Sequence, residues 1–301
     1  MKVDIFITKK VQKGSIIKNI SKDEADAVLL KVPYEGTVSG GTGAAEGPDA
    51  ITEMLNYQVE YWDIFLRANI GDKVKIAQED VDIKGMSPQD VMKEIEAKAK
   101  NCFDKGKFVV TLGGEHSVSL GSISAAKKYF ENLTVLQIDA HADLRDDNSD
   151  YEDDPEKITK YAHSCVMRRV YDLGCPIVQV GIRSLSPSEA EFVEEKKIGE
   201  NIFYTPISAD YRKIISKCKT DKVYVTIDVD GFDPAVMPAT GTPEPGGLSW
   251  DWTVGLLREL FSKKEIIGFD IVEVAPNKDS YLTEFAAAKL LYHLIGLKFL
   301  R

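Results

Sequence analysis

Eight short runs of β-type residues recur along the chain with helical stretches between them, and this alternation restricts the possible folds more than any other feature. The runs are Ala27–Val32, Val74–Ala77, Phe108–Leu112, Leu133–Asp139, Ile177–Val180, Ile202–Tyr204, Lys222–Asp228 and Ile266–Ile271. Several are apolar almost throughout, as strands buried on both faces require. Helices are expected at Asp49–Leu66, Pro88–Lys105, Ser117–Phe130, His163–Leu173, Ser188–Lys196, Ala209–Cys218, Trp250–Phe261 and Tyr281–Leu297. Pro48 and the pair Ser87-Pro88 stand at helix-start positions. Val91, Ile95, Ala99 and Phe103 recur at four-residue spacing and mark one apolar face. Such alternation predicts an α/β fold with a mostly parallel sheet and helices packed against it. A TIM barrel satisfies the same strand count. No internal repeat or long linker divides the 301 residues, so a single domain spanning 1–301 is expected.

Charge and cysteine usage exclude several classes of function. The chain has 38 Lys and Arg against 48 Asp and Glu, a net charge of -10. That is opposite to what nucleic acid or an anionic membrane surface attracts. The four cysteines, Cys102, Cys165, Cys175 and Cys218, form no C-x-x-C pair. No disulfide scaffold is indicated, and a reducing cytoplasm is the expected compartment. The segment Met1 to Lys22 is too polar for a signal peptide. No run approaches the roughly 18 apolar residues of a membrane span.

Three segments after strands are unusual: the glycine-rich Gly36–Gly47, the acidic Leu144–Lys160, and Val229–Gly247. In open α/β sheets ligands gather beyond the C-terminal ends of strands, where these segments lie. Three of the chain's four histidines fall in this region. His141 sits in Asp139-Ala140-His141-Ala142-Asp143. Alternate residues of an extended segment face the same side, so Asp139, His141 and Asp143 can converge. Asp228-Val229-Asp230 follows another strand, and His116 follows Gly113-Gly114-Glu115. Ionised carboxylates at the end of apolar strands are costly unless a positive charge meets them. Four such carboxylates balance two divalent cations. Mixed imidazole and carboxylate donors suit Mn²⁺, and the lack of cysteine excludes a thiolate-rich zinc site.

Four ordered motifs carry a family resemblance: Gly113–Ser117 (GGEHS), Asp139–Asp143 (DAHAD), Thr226–Pro234 (TIDVDGFDP) and Gly268–Pro276 (GFDIVEVAP). From about Ala27 to Leu297 the sequence resembles the ureohydrolase family of arginase and agmatinase. The resemblance implies a three-layer α/β/α sandwich around an eight-stranded parallel sheet, in place of a TIM barrel. It also implies two Mn²⁺ per subunit. His116 and Asp143 would ligate one ion, His141 and Asp230 the other, and Asp139 and Asp228 would bridge both. Two such ions can hold a water and lower its pKa. Glu273 would receive the substrate guanidinium through paired N–H groups. Asp143 would hand on the first proton, and His163 would relay protons or contact substrate near the mouth. A homotrimer or homohexamer is implied as well.

The finer motifs point within the family. Gly181-Ile182-Arg183-Ser184 and the segment around His163 look like the agmatinase form. Only Asn148 and Ser149 resemble the polar loop with which arginases read the α-amino acid end. Hydrolysis of agmatine to putrescine and urea is therefore expected, with arginase or guanidinobutyrase activity as alternatives. A non-catalytic metal-binding protein is the alternative from another class. Metal-dependent deacetylases share the fold in outline, but their mononuclear zinc arrangement with His-Asp charge pairs is not found. Val38–Gly47 lacks the aromatic or arginine residues often seen there in agmatinases. Asp233-Pro234 reads as structural, Glu244 as a possible pocket-lining residue outside the catalytic set, and His293 as a packed surface or interface histidine.

Overall fold

The computed structural model describes residues 16–301. Residues 1–15, part of the expected 1–301 domain and of Met1 to Lys22, lie outside the described residues. The strands are β1 (Ala27–Val32), β2 (Trp62–Asp63), β3 (Ala68–Asn69), β4 (Ile76–Asp80), β5 (Phe108–Gly113), β6 (Thr134–Ile138), β7 (Ile177–Ile182), β8 (Ile202–Tyr204), β9 (Lys222–Asp228) and β10 (Glu265–Val272). The helices are α1 (Gly47–Tyr57), α2 (Pro88–Asp104), α3 (Ser119–Phe130), α4 (Val166–Asp172), α5 (Pro187–Lys196), α6 (Tyr211–Lys217), α7 (Trp250–Lys263) and α8 (Leu282–Phe299). Eight strands form one sheet in the order β4-β1-β5-β10-β9-β6-β7-β8. Every neighbouring pair in it is parallel.

The apolar strands have two buried faces because successive side chains enter two different cores. Leu29, Val110, Leu136 and Val225 pack with residues of α1, α6, α7 and α8. Their neighbours Val28, Val109, Val135 and Tyr224 pack with residues of α2, α3, α4 and α5. The result is a three-layer α/β/α sandwich, not a barrel. Among the described residues, no helix is long and apolar enough to cross a membrane. All four cysteines are buried and free.

Several boundaries differ from the sequence reading. The helix expected over Asp49–Leu66 ends at Tyr57. Beyond it, β2 and β3 form a short antiparallel pair. Asp63 accepts hydrogen bonds from the backbone N–H groups of Phe65 (2.9 Å) and Leu66 (2.8 Å), which supports a turn there. The same carboxylate meets His293 Nδ1 at 2.6 Å. His293 is thus a buried residue of α8, not a surface one. The strand expected at Val74–Ala77 runs from Ile76 to Asp80, paired along β1. The His163–Leu173 helix begins as a 3₁₀ turn, His163–Cys165, before α4. α2 follows expectation closely: Ser87 caps it by accepting from the Asp90 N–H, with Pro88 in its first turn.

Candidate metal centre

Four adjacent central strands, β5, β10, β9 and β6, bring the charged motifs to one end of the sheet. After β5 the chain passes through Gly114, where a Cβ would lie 2.0 Å from the Tyr34 carbonyl oxygen. Only glycine permits that approach, and His116 follows at the start of a 3₁₀ turn. β6 ends at Ile138 and leads directly into Asp139-Ala140-His141-Ala142-Asp143. β9 ends on Asp228, whose Oδ1 accepts the Asp230 N–H at 2.9 Å. β10 ends one residue before Glu273, whose N–H donates to the Gly114 carbonyl at 2.8 Å. Asp143 (φ 53°) and Glu273 (φ 63°) both adopt the left-handed region. Non-glycine residues seldom do so, and each such residue stores on the order of 1 kcal/mol or more.

The resulting cluster contains two ligand sets that share one residue. His116, Asp139 and Asp143 present donor atoms within 4.8 Å of one another, as do Asp139, His141 and Asp230. His116 Nδ1 lies 2.9 Å from Asp143 Oδ2, 3.0 Å from Asp139 Oδ2 and 3.5 Å from Asp228 Oδ2. His141 Nδ1 lies 3.0 Å from Asp230 Oδ2 and 3.7 Å from Asp139 Oδ1. Asp139 thus belongs to both sets, while Asp228 stands beside the first and braces Asp230.

The chemistry of these donors fits divalent cations. The other ring nitrogen of His116, Nε2, meets Thr226 Oγ1 at 2.8 Å, and that hydroxyl donates to Asp270 Oδ1 at 2.7 Å. This chain of donors puts the ring proton on Nε2 and turns the Nδ1 lone pair toward three carboxylates. Nδ1 is fully buried and has no hydrogen-bond partner of good geometry among the described residues. Burial and the charges of Asp230 and Asp143 push the Asp139 carboxyl up to about 8. Burial and the neighbouring Asp230 and Asp139 drive Asp228 upward as well. Burial opposes a charged His141, but the Asp230 carboxylate outweighs it and raises the imidazole to about 10. Each of these shifts reports a demand for positive charge between the carboxylates. A pair of divalent ions on N and O donors meets that demand and removes the mutual repulsion. The arrangement is a binuclear divalent-metal centre.

Glu273 and His163 border this cluster. Glu273 Oε1 accepts the His116 backbone N–H at 2.7 Å and lies 3.7 Å from His163 Nδ1. His163 Nε2 is 3.1 Å from Ser39 Oγ, and its backbone N–H donates to Thr37 Oγ1 at 3.1 Å. Burial disfavours a charged His163, yet Glu273 beside it raises its pKa above the ordinary value. Buried Glu115 accepts the N–H groups of Gly36 (2.8 Å) and Thr37 (2.7 Å), so it anchors the loop that holds His163. A cleft of about 150 Å³ opens over the cluster, with His141, Asp143, Asp228 and Asp230 below and Ser39, Tyr151, His163 and Thr242 around it.

Other motif residues take structural places. Asp233 accepts N–H groups from Ala235, Gly246 and Gly247 at 2.9–3.1 Å, as expected of a turn residue. Asn148 is buried and accepts the Thr159 N–H. Three acids of the 146–156 loop are paired: Asp146 with Lys160 and Arg169, Asp150 with Arg145, and Asp154 with Lys157. Thr226, Asp270 and Arg183 belong to the sequence motifs and take roles beyond the expected site residues. Thr226 precedes Asp228 by two residues, so period-two spacing already placed both on one face. Asp270 was visible as a charge inside an apolar strand. Arg183 donates to the carbonyls of Gly181, Asp230, Gly231, Phe232 and Glu244, a role that no local pattern announces.

The Arginase family model matches residues 25–296. An N(1)-aminopropylagmatine ureohydrolase of Synechocystis sp. is 36% identical over 290 residues, covering 91% of this chain and 89% of its own length. An agmatinase of Bacillus subtilis is 33% identical over 277 residues, covering 91% of this chain and 92% of its own length. The crystal structure of an agmatine ureohydrolase of Thermoplasma volcanium superposes with a TM-score of 0.79 at 29% identity, covering 95% of this chain and 94% of that one.

Proposed function

The chain belongs to the arginase family and is a metal-dependent amidinohydrolase acting on a guanidino substrate; within that class, we propose that it hydrolyses agmatine to putrescine and urea. The observation that carries this reading is the pair of ligand sets sharing Asp139, with Glu273 held beside them. We take the ions to be Mn²⁺, two per subunit, held by His116, Asp139, His141, Asp143, Asp228 and Asp230. When bound, they supply Lewis-acid stabilisation and a water of lowered pKa.

The side chains of the chain do the rest. Glu273 receives two guanidinium N–H groups side by side, which orients the planar carbon. The bond from the His116 N–H fixes Glu273 before substrate arrives. Asp143 takes a proton from the attacking water and passes it toward the leaving nitrogen. His163, whose pKa Glu273 raises, holds a second proton near the mouth. The C–N bond to the alkyl amine breaks, giving urea and the protonated diamine.

A substrate without a carboxylate suits this cleft. Among the described residues that line it, Arg145 is the only lysine or arginine, and Asp150 and Glu189 already engage it. An α-carboxylate such as that of arginine finds no free cation there. A second reading, N(1)-aminopropylagmatine, is supported by the rim. There the lining side chains of Ser39, Ser184 and Thr242 are small and leave room for a longer amine tail. Several relatives at 34–36% identity bear that activity in their names. We also take residues 1–301 as one domain that self-associates through the face carrying exposed Ile64, Phe65 and Leu282.

The test is urea release by manganese-loaded protein. Agmatine, N(1)-aminopropylagmatine, arginine and guanidinobutyrate are compared at equal concentration. Agmatine is expected to lead in kcat/KM. A lead by N(1)-aminopropylagmatine selects the second reading, and a lead by arginine or guanidinobutyrate overturns both.

A further inference from the structure

The two histidines of the cluster have different outer partners. His116 passes its outer N–H to the buried Thr226–Asp270 pair. His141 directs Nδ1 at Asp230, so Nε2 points away from the carboxylates. The group it meets there is Glu244, whose Oε1 lies 3.9 Å from Nε2. Metal-binding imidazoles commonly donate the second ring N–H to a carboxylate, a carbonyl or water, which fixes the tautomer and raises basicity.

Glu244 is suited to this role by what holds it and by what does not. Its side chain is 37% exposed, and His141 is its one ion-pair neighbour among the described residues. Its backbone is anchored: Arg183 Nη2 donates to the Glu244 carbonyl at 2.8 Å and to the Asp230 carbonyl at 2.7 Å. Pro243 and Pro245 flank it and restrict the chain on both sides. Arg183 makes no ion pair with a carboxylate among the described residues; its Nη1 and Nη2 groups donate to backbone carbonyls, and its buried Nε has no partner among those residues. One guanidinium therefore ties the backbone of Asp230, which faces His141, to the backbone of the carboxylate outside His141. A rotation of the half-exposed Glu244 side chain by about 1 Å at its tip brings the contact into hydrogen-bond range.

We propose that Glu244 is a positioning residue of the second metal position, accepting the Nε2–H of His141, and that Arg183 holds it in place. The inference rests on the binuclear-metal reading and does not depend on which guanidino compound is the substrate.

The experiment is a Mn²⁺ titration, by calorimetry and by electron paramagnetic resonance, of chelator-treated full-length protein. Wild type is compared with Glu244→Ala, Glu244→Gln and Arg183→Lys. Wild type should take up two ions. Glu244→Ala should bind one of them about 10- to 100-fold more weakly and leave the other unchanged. Glu244→Gln, whose amide oxygen still accepts, should lose less. Arg183→Lys should move in the same direction, and if it does not fold the Glu244 variants decide alone. Wild-type affinity for both ions in Glu244→Ala overturns the proposal. So does unchanged metal affinity with a KM raised only for substrates bearing a cationic tail, since Glu244 would then read substrate. Uptake of fewer than two ions by wild type overturns the metal reading itself.

Discussion

Replacing Thr226 by valine tests whether the metal-facing nitrogen of His116 is chosen from beneath. Thr226 is fully buried on β9, and valine has nearly its shape without the hydroxyl. The substitution takes the acceptor from His116 Nε2 and a donor from Asp270 Oδ1. Asp270 Oδ2 has no partner among the described residues to compensate. Each buried polar group left unpaired costs about 1–3 kcal/mol, so the pair costs roughly 2–6 kcal/mol. That is a large share of the about 5–15 kcal/mol by which a folded domain is stable. At about 2 °C per kcal/mol for a long chain, calorimetry of the metal-free protein should show Tm lowered by at least about 4 °C. With the imidazole tautomer no longer fixed, Mn²⁺ affinity should also fall by about 10- to 100-fold. Thr226→Ser keeps the hydroxyl and should retain most of both properties. A Thr226→Val protein that melts within about 1 °C of wild type and binds Mn²⁺ normally would refute the reasoning.

Three further variants have expected outcomes from the same structure. Asp228→Ala should lose most bound Mn²⁺ by atomic absorption and nearly all urea release, whereas Glu273→Gln should lose turnover and keep its metal; a fully active, fully loaded Asp228→Ala removes that ligand from the assignment. The Asp63 carboxyl is pushed up by burial, but His293 and the Leu66 and Phe65 N–H groups outweigh this and hold it below its ordinary 3.8. A carboxyl depressed in the folded state stabilises fully above its unfolded value, and that contribution disappears as pH falls through the folded value. Urea denaturation should therefore show Asp63→Asn less stable than wild type at about pH 6, with the gap narrowing toward about pH 3; a gap that is constant or widens in acid counts against the ion pair.

Much of this molecule was already legible in its residue order, where the signals are local. Apolar runs such as that of β9 pointed to strands buried on both faces, and the core side chains confirm two-sided burial. Period two within Asp139–Asp143 placed two carboxylates and an imidazole on one side. The motifs around Gly113, Asp139, Thr226 and Gly268 pointed to the family and, through it, to the sandwich that strand counting alone could not separate from a barrel. Other features depend on which strands become neighbours. The order β5-β10-β9-β6 brings His116, Glu273, Asp228 and Asp139 together across 157 residues of sequence between His116 and Glu273. The burial of His293 goes with its contact to Asp63, 230 positions away in sequence. Arg183 looked like a family landmark with no evident task. Its task exists only where the ends of β7 and β9 and the loop holding Glu244 meet, because a guanidinium can satisfy carbonyls on several segments at once. Periodicity and propensity are properties of neighbours along the chain; the charge balance of the metal centre is a property of neighbours in space, and only the packed sheet creates them.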